Sequence, residues 1–349
     1  MTGQHELPEH PVVAVVGSTG AVGTNIIEIL EERDFPFEDL VPVASERSAG
    51  KKQSVRGEQK TIQTPDQVDW ASVDLALVSA GSDLSKQLAP QLVEQNVVVV
   101  DNSSAFRMNE NTPLVVPEVN WSESVRNANP IANPNCSASQ LVMALKPLQD
   151  EFGLNRVFVS TYQSVSGAGG RALEEFEEQR EQNMWDNASD FEPTSEFRDP
   201  IDQNVLPFIS HSGDAEVSFG EGTGEENKVV AETQKILGDP DLDISVTCAR
   251  IPVPICHAEA VHVDLDTSSF DLSEVLDAFD EFPGVIAVED GQSADYPQPV
   301  EVAGQDPVHV GRVRTDEAME GGLAFWCVGD NLRKGAALNT VQIAEKFLP

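Results

Sequence analysis

The sequence predicts an α/β fold: a Rossmann-type, doubly wound parallel sheet followed by a second, α+β domain. Three observations predict it. An unbroken apolar run, residues 12–16, leads directly into a glycine-rich turn and then a helical pattern ending near Leu30. Apolar strand-like runs alternate with helical stretches up to about Leu145, the signature of parallel strands joined by crossover helices. Beyond that point long strand-like stretches and helices separate, which predicts an α+β architecture. At 349 residues the chain suits two domains. The expected division is residues 1–135 together with 330–349, and residues 136–329.

Each element follows from its local pattern. Val12, Val13, Ala14, Val15 and Val16 read as a strand buried on both faces. Gly17-Ser18-Thr19-Gly20-Ala21-Val22-Gly23 supplies the turn, and Ile26, Ile27, Ile29 and Leu30 an apolar helix face. Further strands are expected at Leu40–Ala44, Asp74–Ser79 and Val97–Val100, with a helix over Gln87–Gln95. Ser137–Leu145 reads as a helix. Arg156–Val165 reads as a strand ending in Ser166-Gly167-Ala-Gly-Gly170, and Arg171–Trp185 as a charged helix. Asn187–Gly224 is long, polar and rich in Pro and Gly, which suits a functional loop or an arm to a neighbour. Glu225–Leu237 and Phe270–Phe282 read as helices. Ile244–Leu265 is strand-like but broken by Pro252 and Pro254, and strands are expected at Val308–Val313 and Leu323–Val328. The closing helix, Arg333–Phe347, carries enough apolar residues to pack back on the first domain.

Composition excludes several classes of function. There are 59 acidic and 22 basic residues, for a net charge of −37. A nucleic acid or an anionic membrane surface calls for a basic footprint, so neither is an expected partner. No apolar run approaches the ~20 residues that span a bilayer, and the first residues lack the pattern of a secretory signal. A cytoplasmic protein is the expectation. The charge is −10 over residues 1–135, −28 over 136–329 and +1 over the last twenty. It runs through the chain and forms no tail, which points to adaptation to high salt, where screening relieves self-repulsion. The four cysteines, Cys136, Cys248, Cys256 and Cys327, form no C-x-x-C pair and no zinc spacing, so no metal is expected.

The chemistry concentrates in three places. Gly17, Gly20 and Gly23 would let the backbone turn tightly, approach a pyrophosphate and present a helix N-terminus to it. After the second strand, Ser45, Arg47 and Ser48 suit a ribose 2′-phosphate, so NADP is expected over NAD. Glu46 is discordant unless it points away, as alternate residues of an extended chain do. In Asn133-Pro-Asn-Cys-Ser137 a polar turn places Cys136 at a helix start. There a thiolate is stabilised and neighbouring N–H groups can hold an oxyanion, so Cys136 is the candidate nucleophile. Its base should be one of six histidines: His5, His10, His211, His257, His262 or His309. His257 follows the two prolines that would interrupt a sheet ladder. The residues alone leave that choice open.

Taken in order, the segments GSTGAVG, ASERSAGK, DNSSAFR, VVPEVN, NPNCSASQ, TYQSVSGAG, EENKVVAETQKIL and TCARIPVPICHAE resemble aspartate-β-semialdehyde dehydrogenase of the bacterial type, over essentially the whole chain. The resemblance implies that Cys136 forms an acyl thioester, that Gln163 orients the acyl group and that His257 is the acid/base. It implies that Arg250 and Glu225 hold the substrate's α-carboxylate and α-amino group, and that Lys228, Arg107 and Asn135 contact phosphate. Ser166 and Gly167 are implied to join the 17–23 loop and Ser45, Arg47 and Ser48 in holding NADP. Ala138-Ser139 departs from the more usual Thr-Ile after the cysteine without removing a catalytic group. The implied reaction is reversible, NADPH-dependent reductive dephosphorylation of L-4-aspartyl phosphate to L-aspartate 4-semialdehyde. It serves lysine (through diaminopimelate), methionine, threonine and isoleucine biosynthesis. The second domain is implied to be catalytic and to build a homodimer. A related N-acetyl-glutamyl-phosphate or glyceraldehyde-3-phosphate enzyme fits less well, because Glu225, Lys228 and Arg250 form a set suited to a free amino acid.

Overall fold

The computed structural model describes residues 6–185, 187, 191–194, 196–209, 220–267, 269–288 and 295–349. His5, His211 and part of the predicted 187–224 segment lie outside the described residues. The chain forms two compact units, residues 1–135 with 336–349 and residues 136–335. The second crossing thus falls later than the residue-329 boundary read from the sequence.

In the first unit the order is β1 (Val12–Val16), α1 (Ala21–Glu32), β2 (Asp39–Val43), β3 (Lys52–Val55), β4 (Glu58–Thr61), β5 (Leu75–Val78), α2 (Ser82–Glu94), β6 (Val98–Asp101), the short α3 (Pro117–Asn120) and α4 (Glu123–Arg126), and β7 (Ile131–Ala132). Five strands pair in parallel in the order β2-β1-β5-β6-β7. Alternation along each strand builds two cores. Val13, Val15, Leu75, Leu77 and Val100 face one side, with Ile26, Ile29 and Leu30 of α1 and Leu338, Val341 and Ile343 from the end of the chain. Ala14, Val16, Ala76, Val78 and Val99 face the other side, with Leu88, Ala89 and Leu92 of α2. Helices on both faces make the sheet doubly wound, and β1 lies where the strand order reverses, the place where such sheets bind ligands.

The glycine turn after β1 is sterically dictated. Gly17 has φ 85°, and a Cβ there would meet the Ser79 carbonyl oxygen at 2.0 Å. A Cβ on Gly23 would meet the Gly17 oxygen at 2.1 Å. At Gly20 a Cβ would meet the Gly17 carbonyl oxygen at 3.4 Å, an ordinary contact. No side chain caps the N-terminus of α1.

The hairpin β3–β4 was not expected from the sequence. Its turn puts Arg56 (φ 48°) and Gly57 (φ 80°) in left-handed conformations, the pattern of a two-residue hairpin loop. The guanidinium of Arg56 holds that geometry, stacking 3.7 Å from the Phe37 ring centroid and donating to the Phe35 carbonyl at 2.6 Å.

The second unit contains α5 (Cys136–Phe152), β8 (Leu154–Gln163), α6 (Gly170–Glu181), α7 (Gly224–Leu237), β9 (Asp243–Arg250), β10 (His257–Leu265), α8 (Leu272–Glu281), β11 (Val285–Ala287), α9 (Pro299–Val302), β12 (Val308–Thr315) and β13 (Gly322–Gly329). Its six strands run in the order β11-β12-β13-β10-β8-β9. β8–β9 and β11–β12 are parallel and the rest antiparallel. Both domains therefore have the predicted classes. Here α5 and α8 pack against the sheet, while Phe158 and Tyr162 of β8 remain exposed. The single closing helix expected over 333–347 is divided: a wide π-helical turn, Arg333–Ala337, leads into α10 (Leu338–Glu345).

Candidate active site

The site is built where several elements of the second unit end or begin. In β8 and β9 the parallel register sets Gln163 opposite Arg250, each the last residue of its strand. Antiparallel pairing brings the first residue of β10, His257, to the same edge. Cys136 opens α5. Glu225 lies in the first turn of α7, whose start is fixed by a capping box between Thr223 and Glu226.

Cys136 Sγ stands 3.1 Å from His257 Nε2. The imidazole is fully buried, and that burial, helped by the nearby Arg250 charge, holds its pKa well below the usual value. The Ser164 N–H donates to His257 Nδ1 at 3.0 Å. Arg250 Nη1 donates to the Ser164 carbonyl at 2.8 Å and to Gln163 Oε1 at 3.4 Å. Burial lowers the Arg250 pKa and the neighbouring Glu225 opposes the shift; an arginine stays charged under both influences. Gln163 Nε2 donates to Glu225 Oε1 at 3.2 Å, and Lys228 Nζ lies 4.0 Å from Glu225 Oε2. A thiol, an imidazole, an amide, one carboxylate and two cations thus converge on one edge.

Burial distinguishes Cys136 from the other cysteines. Cys136 is partly exposed, whereas Cys248, Cys256 and Cys327 are buried. Burial pushes the Cys248 thiol up to about 12 and raises the other two as well, which leaves them protonated and inert. Among the described histidines, His262 pairs with Asp316 at 2.6 Å, His10 contacts the Pro36 carbonyl, and His309 lies in β12. Among the described residues no cluster of His, Cys, Asp or Glu could hold a metal ion. No helix there is long and apolar enough to cross a membrane.

The remaining predicted site residues are divided between the units. Ser166 and Gly167 belong to the second, where the Ser166 hydroxyl bonds internally with Ser164 and Asn331. Gly17, Ser18, Thr19, Gly20, Ala21, Val22, Gly23, Ser45, Arg47, Ser48, Arg107 and Asn135 belong to the first. Arg107 donates to the Asn102 carbonyl at 2.8 Å, and Asn135 is buried. Residues 45–48 close a turn, with the Ser48 N–H bonded to the Ser45 carbonyl at 2.8 Å. The alternation argument for turning Glu46 away therefore does not apply, because the segment is not extended; Glu46 and Arg47 are both exposed. Sequence reasoning missed two buried residues behind the histidine: Ser164, which bonds to its ring, and Asn331, which bonds to Ser164. Ser164 adjoins the recognised Gln163, whereas Asn331 follows a strand end, where a polar residue reads as turn.

Comparison with known proteins agrees with the fold. Residues 12–128 match the family model of the semialdehyde dehydrogenase NAD binding domain. Residues 145–334 match that of the semialdehyde dehydrogenase dimerisation domain. The aspartate-semialdehyde dehydrogenase of Aquifex aeolicus is 44% identical over 337 residues, 95% of this chain and 96% of the relative. That of Bacillus subtilis is 42% identical over 341 residues, 96% of each. The crystal structure of aspartate semialdehyde dehydrogenase II complexed with ASA from Vibrio cholerae superposes with a TM-score of 0.89 at 42% identity, covering 97% of this chain and 98% of that one. The chain belongs to the aspartate-semialdehyde dehydrogenase family.

Proposed function

We propose that this protein catalyses the reversible, NADPH-dependent reductive dephosphorylation of L-4-aspartyl phosphate to L-aspartate 4-semialdehyde, through a thioester on Cys136. The observation that carries this reading is the 3.1 Å approach of Cys136 Sγ to His257 Nε2 at the N-terminus of α5. The helix start favours the thiolate and offers main-chain N–H groups to an oxyanion. The thiolate attacks the acyl phosphate carbon; the S–C bond forms as the C–O bond to phosphate breaks. Arg107, Asn135 and Lys228 are the groups assigned to phosphate, and cations there stabilise the leaving anion. Arg250 takes the α-carboxylate, Glu225 the α-amino group, and Gln163 orients the acyl oxygen. When bound, the nicotinamide supplies the hydride that reduces the thioester. His257 donates its proton to the oxygen that gains charge and takes it back as the C–S bond breaks and the carbonyl re-forms.

The first unit fits the cofactor. Gly17 and Gly23 are demanded by the turn itself, which leads into a helix N-terminus that no side chain caps and that suits a pyrophosphate. Arg47, with Ser45 and Ser48 in the same exposed turn, supports NADP over NAD. The homodimer is supported by Phe158 and Tyr162, large side chains left exposed on the sheet of the unit that matches a dimerisation model. The place in lysine, methionine, threonine and isoleucine biosynthesis, in the cytoplasm, follows from the reaction and the family. The test is a phosphate-dependent NADP⁺ reduction assay with L-aspartate semialdehyde. Turnover that vanishes in Cys136→Ser while NADP still binds is the expected result; wild-type protein that reduces no NADP⁺ with this substrate overturns the reading.

A further inference from the structure

The histidine facing Cys136 is held from behind by groups with no assigned role. The Ser164 N–H that meets His257 Nδ1 at 3.0 Å can only donate, so Nδ1 there is an acceptor. The single proton of a neutral imidazole then sits on Nε2 and points at Cys136 Sγ. An imidazolium would set an Nδ1–H against the Ser164 N–H, and burial already opposes that charge.

Behind this contact lies Asn331, 3% exposed. Its Oδ1 accepts the Cys256 N–H at 2.9 Å and the Ser164 hydroxyl at 3.0 Å, and lies 3.2 Å from Ser166 Oγ. Its Nδ2 donates to Ser166 Oγ at 2.9 Å. The Cys256 N–H is an obligate donor, so it fixes which end of the amide is oxygen. Cys256 itself has φ 75°, a left-handed conformation that is strained for a non-glycine residue. It directly precedes His257, so its conformation sets the direction in which the imidazole leaves the chain. The Ser164 hydroxyl, the other group on Asn331 Oδ1, stands 3.1 Å from His257 Nδ1. One buried amide therefore touches both supports of the ring.

We propose that Asn331 is a positioning residue: through the Cys256 N–H and the Ser164 hydroxyl it holds His257 with Nδ1 bare and the Nε2 proton aimed at Cys136. In the resting protein His257 faces the sulfur as a hydrogen-bond donor and not as a base. The proton it lends to the developing oxyanion returns to Nε2, so no proton needs to enter behind the ring.

This inference rests on the dehydrogenase reading for its kinetic consequence, but its first two readouts need no turnover. Protein labelled with ¹⁵N-histidine is examined by long-range ¹H–¹⁵N correlation at neutral pH, with His257 identified as the ring lost in His257→Gln. Iodoacetamide alkylation of Cys136, located by mass spectrometry, is followed across pH. The wild type should show bare Nδ1 and protonated Nε2. Asn331→Ala should mix the tautomers, shift the alkylation profile and lower kcat by ~10–100-fold, the scale of a misplaced catalytic group. KM for aspartate semialdehyde should change less than about two-fold, because Asn331 lies behind the ring and not beside the substrate groups. Ser164→Ala, which keeps the N–H but removes the hydroxyl, should move the same readouts in the same direction and stands in if Asn331→Ala does not fold. A protonated Nδ1 in the wild type, or a folded variant whose tautomer and alkylation profile match the wild type, overturns the proposal. Absence of wild-type turnover with these signatures intact overturns the dehydrogenase reading instead.

Discussion

Gly167→Ala is a perturbation whose size can be worked from the structure. A Cβ on Gly167 would lie 2.8 Å from Arg250 Nη1, 2.9 Å from His257 Cε1 and 3.1 Å from His257 Nε2. Ordinary contact begins at 3.4 Å, so the ring must give by about 0.5 Å and the guanidinium by slightly more. Neither is free to do so. The ring is held at Nδ1 by the Ser164 N–H, and Arg250 Nη1 is held by the Ser164 carbonyl. The added methyl therefore moves the reacting groups or the Val165–Ala168 turn that carries it. A misplacement of ~1 Å costs a catalytic site about 100-fold. Half of that corresponds to a loss of ~10–30-fold in kcat/KM, or about 1.4–2 kcal/mol of transition-state stabilisation. Overpacking a well-filled site costs ~1–3 kcal/mol of stability as well, so unfolding midpoints are measured beside phosphate-dependent NADP⁺ reduction. A variant with wild-type stability and kcat/KM within two-fold of the wild type would refute the claim that His257 and Arg250 are rigidly held.

Other sites give sharper tests of particular assignments. Arg47→Ala should weaken NADPH far more than NADH in fluorescence titrations, since only NADPH carries the 2′-phosphate; equal losses would place Arg47 elsewhere. Glu259 is fully buried, and burial pushes its carboxyl well above the usual range, with the Gln140 amide pulling the other way. The folded state thus keeps a proton that the unfolded chain releases above its ordinary pKa of ~4.3, and stability falls as pH rises from there toward the raised folded pKa. Glu259→Gln should remove that slope, so its advantage in denaturant unfolding should be larger at pH 8 than at pH 5; an advantage independent of pH would contradict a protonated Glu259. The −37 charge should oppose assembly in dilute buffer, where the Debye length is ~30 Å at 0.01 M against ~3 Å at 1 M. Sedimentation and activity followed from 0.05 M to 3 M KCl should show dimer and turnover lost together at low salt. A stable, active dimer at the low end would refute adaptation to high salt.

The fold was legible where periodicity is strong and local. Val12–Val16 and Val98–Asp101 pack apolar residues on both faces, and helices α1, α7 and α8 carry their own apolar stripes. The β3–β4 hairpin escaped because Lys-Gln-Ser-Val and Glu-Gln-Lys-Thr show little alternation and the turn is Arg-Gly. Its stability comes from Arg56 reaching Phe35 and Phe37, contacts that no short window contains. Similarly, nothing in the short sequence Arg333–Ala337 distinguishes the π turn it forms from an α-helical one. In the site, Cys136 could be singled out from its turn-then-helix context. The choice of His257 among six histidines needed the family pattern, since 121 residues separate the pair. Ser164 and Asn331 gave no signal because their role is to accept and donate hydrogen bonds inside a core, and polar residues at strand ends read as turn.

The interrupted ladder explains why such distant residues meet. Pro252 and Pro254 prevent β9 from running into β10, and the carbonyls of Val253 and Pro254 accept the N–H groups of Val165 (2.8 Å) and Ser166 (3.0 Å) instead. The loop between β9 and β10 thereby clamps the turn after β8, which presents Ser164 to the imidazole. At the far end of the same loop, the left-handed Cys256 is fixed by Asn331, two residues beyond β13. Four strand ends, those of β8, β9, β10 and β13, are thus bonded to one another by the irregular backbone that a regular sheet would not have supplied. The cost of breaking the ladder is offset by these cross-bonds, and the result is a sheet edge whose side chains are fixed before any ligand arrives. Preorganisation of that kind is what electrostatic stabilisation of a transition state requires. It also accounts for the placement of Gln163, Arg250 and His257 at strand ends, where the backbone can turn while the sheet beneath stays rigid.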